Sequence, residues 1–331
     1  MWYRELVPVS NGFDTLFTFQ ITDHSKECTL HKDQYFSIIH HRTCSIHGGD
    51  GFAFVIQNDL LGLQALGGVG GDMGFGGTST GTGGSIGIKN SLAIAFDMFS
   101  NPILDVISGS DHISIQSKSS AANSAYDDGM LGYPIAYDLA DGLVHFVRIV
   151  YWNELLPQYY TNVMASETLL PYIKDNGEGK RVGTLMVYID NGIVNDQPII
   201  VMPINLSVLL DLPDDVAYVG FTASTGKFYE KHDILSWYWC DNEPCKLVDY
   251  ATFDYHHANN ITANNLRLRQ FTPGGIGGGY YGGSNGLEGF PTKMQNPNTD
   301  PWTEPIEHFS LSRTHDLSSD SIIQQSPQTL Y

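Results

Sequence analysis

The chain has 331 residues, 42% of them hydrophobic, enough to bury one large core or two smaller ones. Acidic residues outnumber basic ones 36 to 17, a formal charge of −19, so the long-range field disfavours nucleic acid and anionic membrane surfaces as partners. No run of about eighteen apolar residues is available to span a bilayer, and charged residues make up only 16% amid abundant Gly, Asn, Ser, Thr and Tyr, the composition of a secreted β protein.

Short runs rich in β-branched and aromatic residues recur along the chain. In order they are Phe17 to Ile21, Phe52 to Ile56, Leu92 to Phe96, His112 to Gln116, Leu143 to Tyr151, Leu185 to Asp190, Ile199 to Met202, Val216 to Phe221 and Ile234 to Trp239; all read as strands. Asp190-Asn-Gly192 predicts a tight hairpin turn, and only Leu206 to Leu210 has the look of a helical turn. Many short strands with turn signals between them and almost no helical period indicate an antiparallel sandwich of two packed sheets.

Two glycine-rich segments interrupt this pattern, one with eleven glycines over residues 67 to 87 and one with nine over 273 to 289. The first lies between strands and is expected to be an ordered loop close to a ligand. The second belongs to an extension, residues 246–331, set apart from a first unit at 1–245 and expected to hold little regular structure. Its glycine-rich part reads first as a flexible tail or linker; yet Phe253, Tyr255, Phe271, Tyr280, Tyr281, Phe290, Trp302 and Phe309 are more aromatic residues than a disordered tail carries, which makes the extension also a candidate assembly arm for a homo- or hetero-oligomer.

The four cysteines form two local pairs, Cys28 with Cys44 and Cys240 with Cys245. Two disulfides are expected; a zinc site is the alternative, although neither spacing suits one. Met1-Trp-Tyr-Arg-Glu has none of the marks of a signal peptide, so an extracellular or secretory-pathway location rests on composition and cysteines. Asn205-Leu-Ser207 and Asn260-Ile-Thr262 fit the N-glycosylation pattern, Asn260 the more accessible by context. The pairs His40-His41 and His256-His257 lack a third ligand at a metal-site spacing.

Asp97, Asn101 and Asp105 follow an apolar strand at four-residue intervals. Hard oxygen donors so spaced suit Ca²⁺, which takes six to eight of them, although Asp and Asn also favour turns for their own reasons. Asp50, at the start of another strand, is a further carboxylate.

The segments Gly49 to Ile56, Asn90 to Asn101, His112 to Ile115, Asp141 to His145, Leu185 to Asp190, Ala217 to Gly226 and His232 to Trp237 occur in an order that resembles the L-type lectin domain, the family of legume lectins and of cargo-receptor lectins of the secretory pathway. The resemblance implies an all-β, concanavalin A-like jelly roll that binds glycans and is not an enzyme. It implies calcium on the carboxylates of Asp97 and Asp105, the carbonyl of Phe99 and the amide of Asn101. It also implies a cis Gly49–Asp50 peptide that aims Asp50 at the sugar. Asn101 would serve both metal and sugar, Gly70 or Gly71 would supply a backbone N–H, and Phe228, Tyr229 and His232 would form the other wall. His232 could equally be a structural partner of Asp233. Legume lectins carry a transition-metal glutamate where this chain has Ala95, so His112 is left without that site and calcium alone is expected. A glycoside hydrolase, which needs paired carboxylates, is disfavoured by the same alanine; a structural coat or fibre subunit that keeps the fold is the other reading.

Overall fold

The computed structural model describes residues 1–32, 40–77, 87–101, 105, 111–159, 169–174, 181–241, 323–325 and 328–330. In chain order the described strands are β1 (Val7–Pro8), β2 (Phe13–Thr22), β3 (Ser25–Lys32), β4 (His40–His47), β5 (Gly51–Gln57), β6 (Ser91–Asp97), β7 (His112–Gln116), β8 (Ile135–Ala136), β9 (Val144–Trp152), β10 (Gly183–Ile189), β11 (Ile200–Ile204), β12 (Val216–Ser224), β13 (Lys231–Cys240), β14 (Ile323–Gln325) and β15 (Gln328–Leu330). They build a six-stranded sheet in the order β1-β12-β5-β6-β7-β8 and a seven-stranded sheet in the order β11-β10-β9-β2-β13-β14, with β15 also on β13. All these pairs are antiparallel, giving the jelly-roll sandwich expected.

Period-two alternation decides which residues meet between the sheets. Phe17 and Phe19 of β2, Phe52 and Phe54 of β5, Phe96 of β6, Phe221 of β12 and Trp237 of β13 are fully buried in one cluster. Phe17 lies at its centre, with ring centroids 5.0 Å from Phe221, 5.8 Å from Phe96 and 6.1 Å from Phe54. On their other faces β5 and β6 carry small residues, Ala53, Ala93 and Ala95, and there Ala65, Met73, Phe75 and Ile88 pack down on the sheet. The glycine-rich segment is therefore an ordered cover over its described part, 67–77 and 87; residues 78–86 lie outside the described residues.

Several local details differ from the sequence expectation. Asp190-Asn-Gly192 is not a two-residue hairpin turn. Asn191–Val194 forms a helical turn, α1, because the Asp190 carboxylate turns back to accept bonds from the Phe146 N–H and the Tyr137 hydroxyl and to pair with His145 Nδ1. Leu206–Leu209 is a helical turn as expected, α2, capped by the Asn205 side chain, which accepts from the Val208 N–H. Asn205 also donates to the Lys174 carbonyl at 2.7 Å and is 1% exposed. A glycan cannot be carried there in the folded chain.

Strands β3 and β4 form a separate hairpin that apolar patterning could not reveal, since most of its residues are exposed. Cys28 pairs directly with Cys44 in its register and the two are disulfide-bonded. Cys245, Asn260, His256, His257 and the aromatic residues of the extension lie outside the described residues. Near the chain's end, β14 pairs with Trp237 to Trp239 and β15 with His232 to Ile234, so part of the extension is strand within the sandwich.

Phe17→Ala is expected to lower the unfolding free energy by about 3–5 kcal/mol, the usual cost of emptying an aromatic site that cannot collapse. Urea unfolding followed by tryptophan fluorescence checks it, because Trp237 and Trp239 are buried in the same cluster.

Candidate functional site

The register of β5 on β6 sets Gly51 opposite Asp97, so Asp50 and the residues after Asp97 meet at one end of the sheet. The Asp50 N–H donates to the Ser224 carbonyl at 3.1 Å and its carbonyl accepts from the Met98 N–H at 3.0 Å. The Gly49–Asp50 peptide is cis, as expected. Held in this way the carboxylate is 8% exposed, and its Oδ2 has no hydrogen-bond partner among the described residues. Burial pushes its pKa up to about 6; His232 opposes the shift, and the neighbouring charges of Glu230 and Asp72 add to it.

Three glycines leave room around this carboxylate. A Cβ on Gly226 would lie 2.9 Å from Asp50 Oδ2, one on Gly70 3.9 Å from it, and one on Gly71 2.9 Å from the Tyr126 hydroxyl and 3.5 Å from Asn101 Nδ2. Gly70 has φ +64°, a left-handed conformation that glycine adopts without strain, and its carbonyl accepts from the Ser224 hydroxyl. Asp50, Gly70, Gly71 and Asn101 are thus brought together. Tyr126, Gly226 and the buried Asp72 join them, and nothing in their local sequence marks them for the site.

Asp97 is 3% exposed. Its Oδ1 accepts from the Phe99 N–H at 2.8 Å, the Asp105 carboxylate accepts from the Asn101 N–H, and the Asp105 N–H donates to the Asn101 carbonyl at 3.0 Å. Burial, then the negative charges of Asp105, Asp50 and Asp111, raise the pKa of Asp97 well above the usual carboxylate range. Burial also pushes Asp105 and Asp111 up to about 6. Asp111, which no sequence pattern marks, accepts from the Leu139 and Ala140 N–H groups at 3.0 Å.

Buried like charges of this kind favour a cation among them, and the donors on hand are carboxylate, carbonyl and amide oxygens, the set calcium prefers. Among the described residues no three His, Cys, Asp or Glu side chains already form a metal-holding group. His112 Nε2 is 4.0 Å from Asp97 Oδ2. Ala95, opposite Ala53 and Ser114 in the sheet, offers no ligand beside it.

The far wall differs from expectation in detail. Phe228 stacks on His47, with centroids 4.3 Å apart, and Lys227 Nζ lies 4.7 Å from its ring centroid, so the ring already has neighbours. Tyr229 is 56% exposed. His232 is fully buried and meets Glu230, Nε2 to Oε1 3.3 Å, whereas Asp233 pairs with Lys231. The alternative partner, Asp233, is therefore incorrect: alternation along β13 sends neighbours 232 and 233 to opposite faces. His24 holds the other oxygen of Glu230 at 2.9 Å.

Residues 4–250 match the family model of the legume lectin domain. Among solved structures, the chain is similar to peanut lectin in complex with a nine-residue peptide, at 19% identity over 69% of this chain and 70% of that one, TM-score 0.39. Basic winged bean lectin with Tn-antigen is similar at 18% identity over 72% and 77%, TM-score 0.39. The metal-free exoplasmic/lumenal domain of VIP36 is similar at 16% identity over 72% of each chain, TM-score 0.39.

The His24–Glu230–His232 cluster makes a pH-dependent contribution whose sign is fixed. The Glu230 hydrogen bond, working against partial burial, raises His24 above its ordinary 6.5, so its contribution is complete below pH 6.5 and is lost as pH rises through the folded value. Glu230 lies below its ordinary 4.5 because bonds from His232 and His24 outweigh burial; its contribution is complete above pH 4.5 and is lost on acidification. Both act together between pH 4.5 and 6.5. Urea titrations from pH 4 to 8 should show Glu230→Gln costing most stability inside that window; a uniform cost across the range would contradict the assignment.

Proposed function

The chain belongs to the legume lectin domain family, and from that premise we propose that it is a non-catalytic, calcium-dependent carbohydrate-binding module. The observation that carries the reading is Asp50: a nearly buried carboxylate with an unpartnered oxygen, facing space that Gly70, Gly71 and Gly226 leave open. An ionised carboxylate accepts hydrogen bonds from two adjacent sugar hydroxyls more strongly than a neutral acceptor does. The Tyr126 hydroxyl and the Asn101 amide stand beside the same space, and the backbone of Gly70 or Gly71 supplies a donor.

The residues present fit calcium. Asp97, Asp105, the Phe99 carbonyl and the Asn101 amide oxygen would hold it, with Asp111 and Asp127 adding negative charge nearby. When bound, the ion supplies the positive charge that keeps these buried carboxylates ionised and fixes the loop that presents Asn101. Asp50, Gly70, Gly71, Asn101 and Tyr126 then bind and orient the sugar. Phe228 and Tyr229 flank it through their apolar rings, while His232 acts through Asp50 rather than by contact, being fully buried. Ala95 supports calcium without a transition metal. The Cys28–Cys44 disulfide supports an oxidising, extracellular or secretory location.

Binding to a panel of neutral oligosaccharides, with and without a chelator, tests this. Asp50→Ala should weaken binding roughly hundredfold, the loss of about 3 kcal/mol of charged hydrogen bonding, and chelation should abolish it. Retention through both would overturn the mechanism. Mass spectrometry of the purified protein should find calcium and no manganese; bound manganese would contradict the role given to Ala95.

A further inference from the structure

The half of the site that faces a sugar holds more negative charge than its described neighbours cancel. Asp50 is 8% exposed, and its Oδ2 has no hydrogen-bond partner among the described residues. Asp72, also buried, closes the short helical turn Gly70–Asp72. The two glycines of that turn are the ones that leave room beside Asp50 Oδ2, Asn101 Nδ2 and the Tyr126 hydroxyl. Asp72 is felt on both sides of this space. Burial first, and then the charge of Asp72, push the Tyr126 hydroxyl up to about 12; the same carboxylate and Glu230 add to the effect of burial at Asp50.

Among the described residues little opposes these charges. His232 works against the shift at Asp50, yet its Nε2 is already 3.3 Å from Glu230 Oε1, and His24 holds the other oxygen of Glu230 at 2.9 Å. Lys227, next to Gly226, is engaged by Glu27 at 3.2 Å. None of the ion pairs among the described residues includes Asp50. A calcium ion on Asp97 and Asp105 leaves the imbalance in place: its two positive charges offset those two carboxylates, and Asp50 and Asp72 remain. A sugar hydroxyl donates to Asp50 but brings no charge. A buried ion is tolerated when it is both paired and hydrogen-bonded, and here the pairing partner is missing.

We infer that the Asp50 site selects an amino sugar, a glycan residue whose ammonium group donates to Asp50 Oδ2 in the field of Asp72, over the hydroxyl and N-acetyl forms of the same sugar. This rests on the lectin reading above and adds the class of ligand. An ammonium group has three donors, so one goes to Asp50 Oδ2 while the Tyr126 hydroxyl stands close enough to accept another. Hydrogen bonds between ionised partners are about twice as strong as neutral ones. Asp50, held up at about 6, is ionised at neutral pH and supplies the negative partner. An N-acetyl group puts a neutral amide in the same place, and a sugar carboxylate or sulfate meets repulsion. Asp72 acts through its charge, since it is 4% exposed. Gly70, Gly71 and Gly226 supply the space.

The test uses the full chain with calcium and a panel of methyl hexosides that carry, at one carbon in turn, a hydroxyl, an ammonium or an N-acetyl group. Titration calorimetry at neutral pH compares the three forms position by position. At one position or more the ammonium form should bind about tenfold more tightly than its hydroxyl parent, and the N-acetyl form no more tightly than that parent. The advantage should persist at about 0.5 M salt, because a buried pair is screened much less than surface charge. Asp72→Asn keeps the side chain's size and removes its charge; it should shrink the ratio of ammonium to hydroxyl affinity to about threefold or less, with tryptophan fluorescence confirming the fold. Asp50→Asn should remove the advantage altogether. Hydroxyl parents that bind while no ammonium form gains overturn the amino-sugar inference and leave the lectin reading intact, a result the unmodified chain gives by itself. An advantage that vanishes with salt or survives Asp50→Asn is general attraction to a body of charge −19 and overturns the inference too. An undiminished ratio in Asp72→Asn overturns the part given to Asp72. Binding of no probe overturns the lectin reading together with this one.

Discussion

Burying several carboxylates at one end of a sheet is the constraint on which this structure turns. The β5–β6 register sets Gly51 against Asp97 and so places Asp50 beside the loop of Asp97, Asn101 and Asp105. Asp50 and Asp97 are buried and Asp105 is half-buried, and each raises the cost of ionising the next. Backbone N–H donors at Asp97, Asp105 and Asp111 offset part of that cost. Asp50 Oδ2 has none among the described residues. The arrangement is therefore strained electrostatically unless something positive or hydrogen-bonding enters, and on the function proposed above a cation at the loop and hydroxyls at Asp50 would occupy adjoining halves of one site.

The packing behind the site follows from residue size. Ala53, Ala93 and Ala95 present methyl groups on the outer face of β5 and β6, and the glycine-rich cover with Met73 and Phe75 settles onto them. That close approach brings Gly70 and Gly71 to Asp50 and Asn101. One alanine thereby has two consequences: Ala95 admits the cover, and it offers no ligand on the strand beside His112.

The sandwich was legible in the sequence because most of its strands are buried on both faces and therefore read as apolar runs: Phe52 to Ile56 and Leu92 to Phe96 sit within strands buried at every position. Strands β3 and β4 were not legible, since their stability comes from a disulfide and from contacts to residues 227–229 rather than from apolar alternation. At the site, Asp50, Asp97, Asn101 and Asp105 were readable from residue type and order. Tyr126 and Glu230 were not, because they reach the site through folding, as the 206-residue separation of His24 from Glu230 illustrates; Asp111, only six residues beyond Asp105, fits no spacing that sets it apart from a turn aspartate. Asn205 misled for a related reason: a short pattern carries no record of burial, and its amide serves as a helix cap instead.

The net charge is a sum over the whole chain, and it answers a different question from the charge at any one place. At distances beyond a Debye length the excess of 36 acidic over 17 basic residues sets what approaches; within it, the nearest few groups decide what binds. Here the acids converge on one interior site, so what that site accepts is set by the local field around Asp50 and Asp97 and not by the sum over the chain: a hydrogen-bond donor or a cation suits it, and a further anion does not.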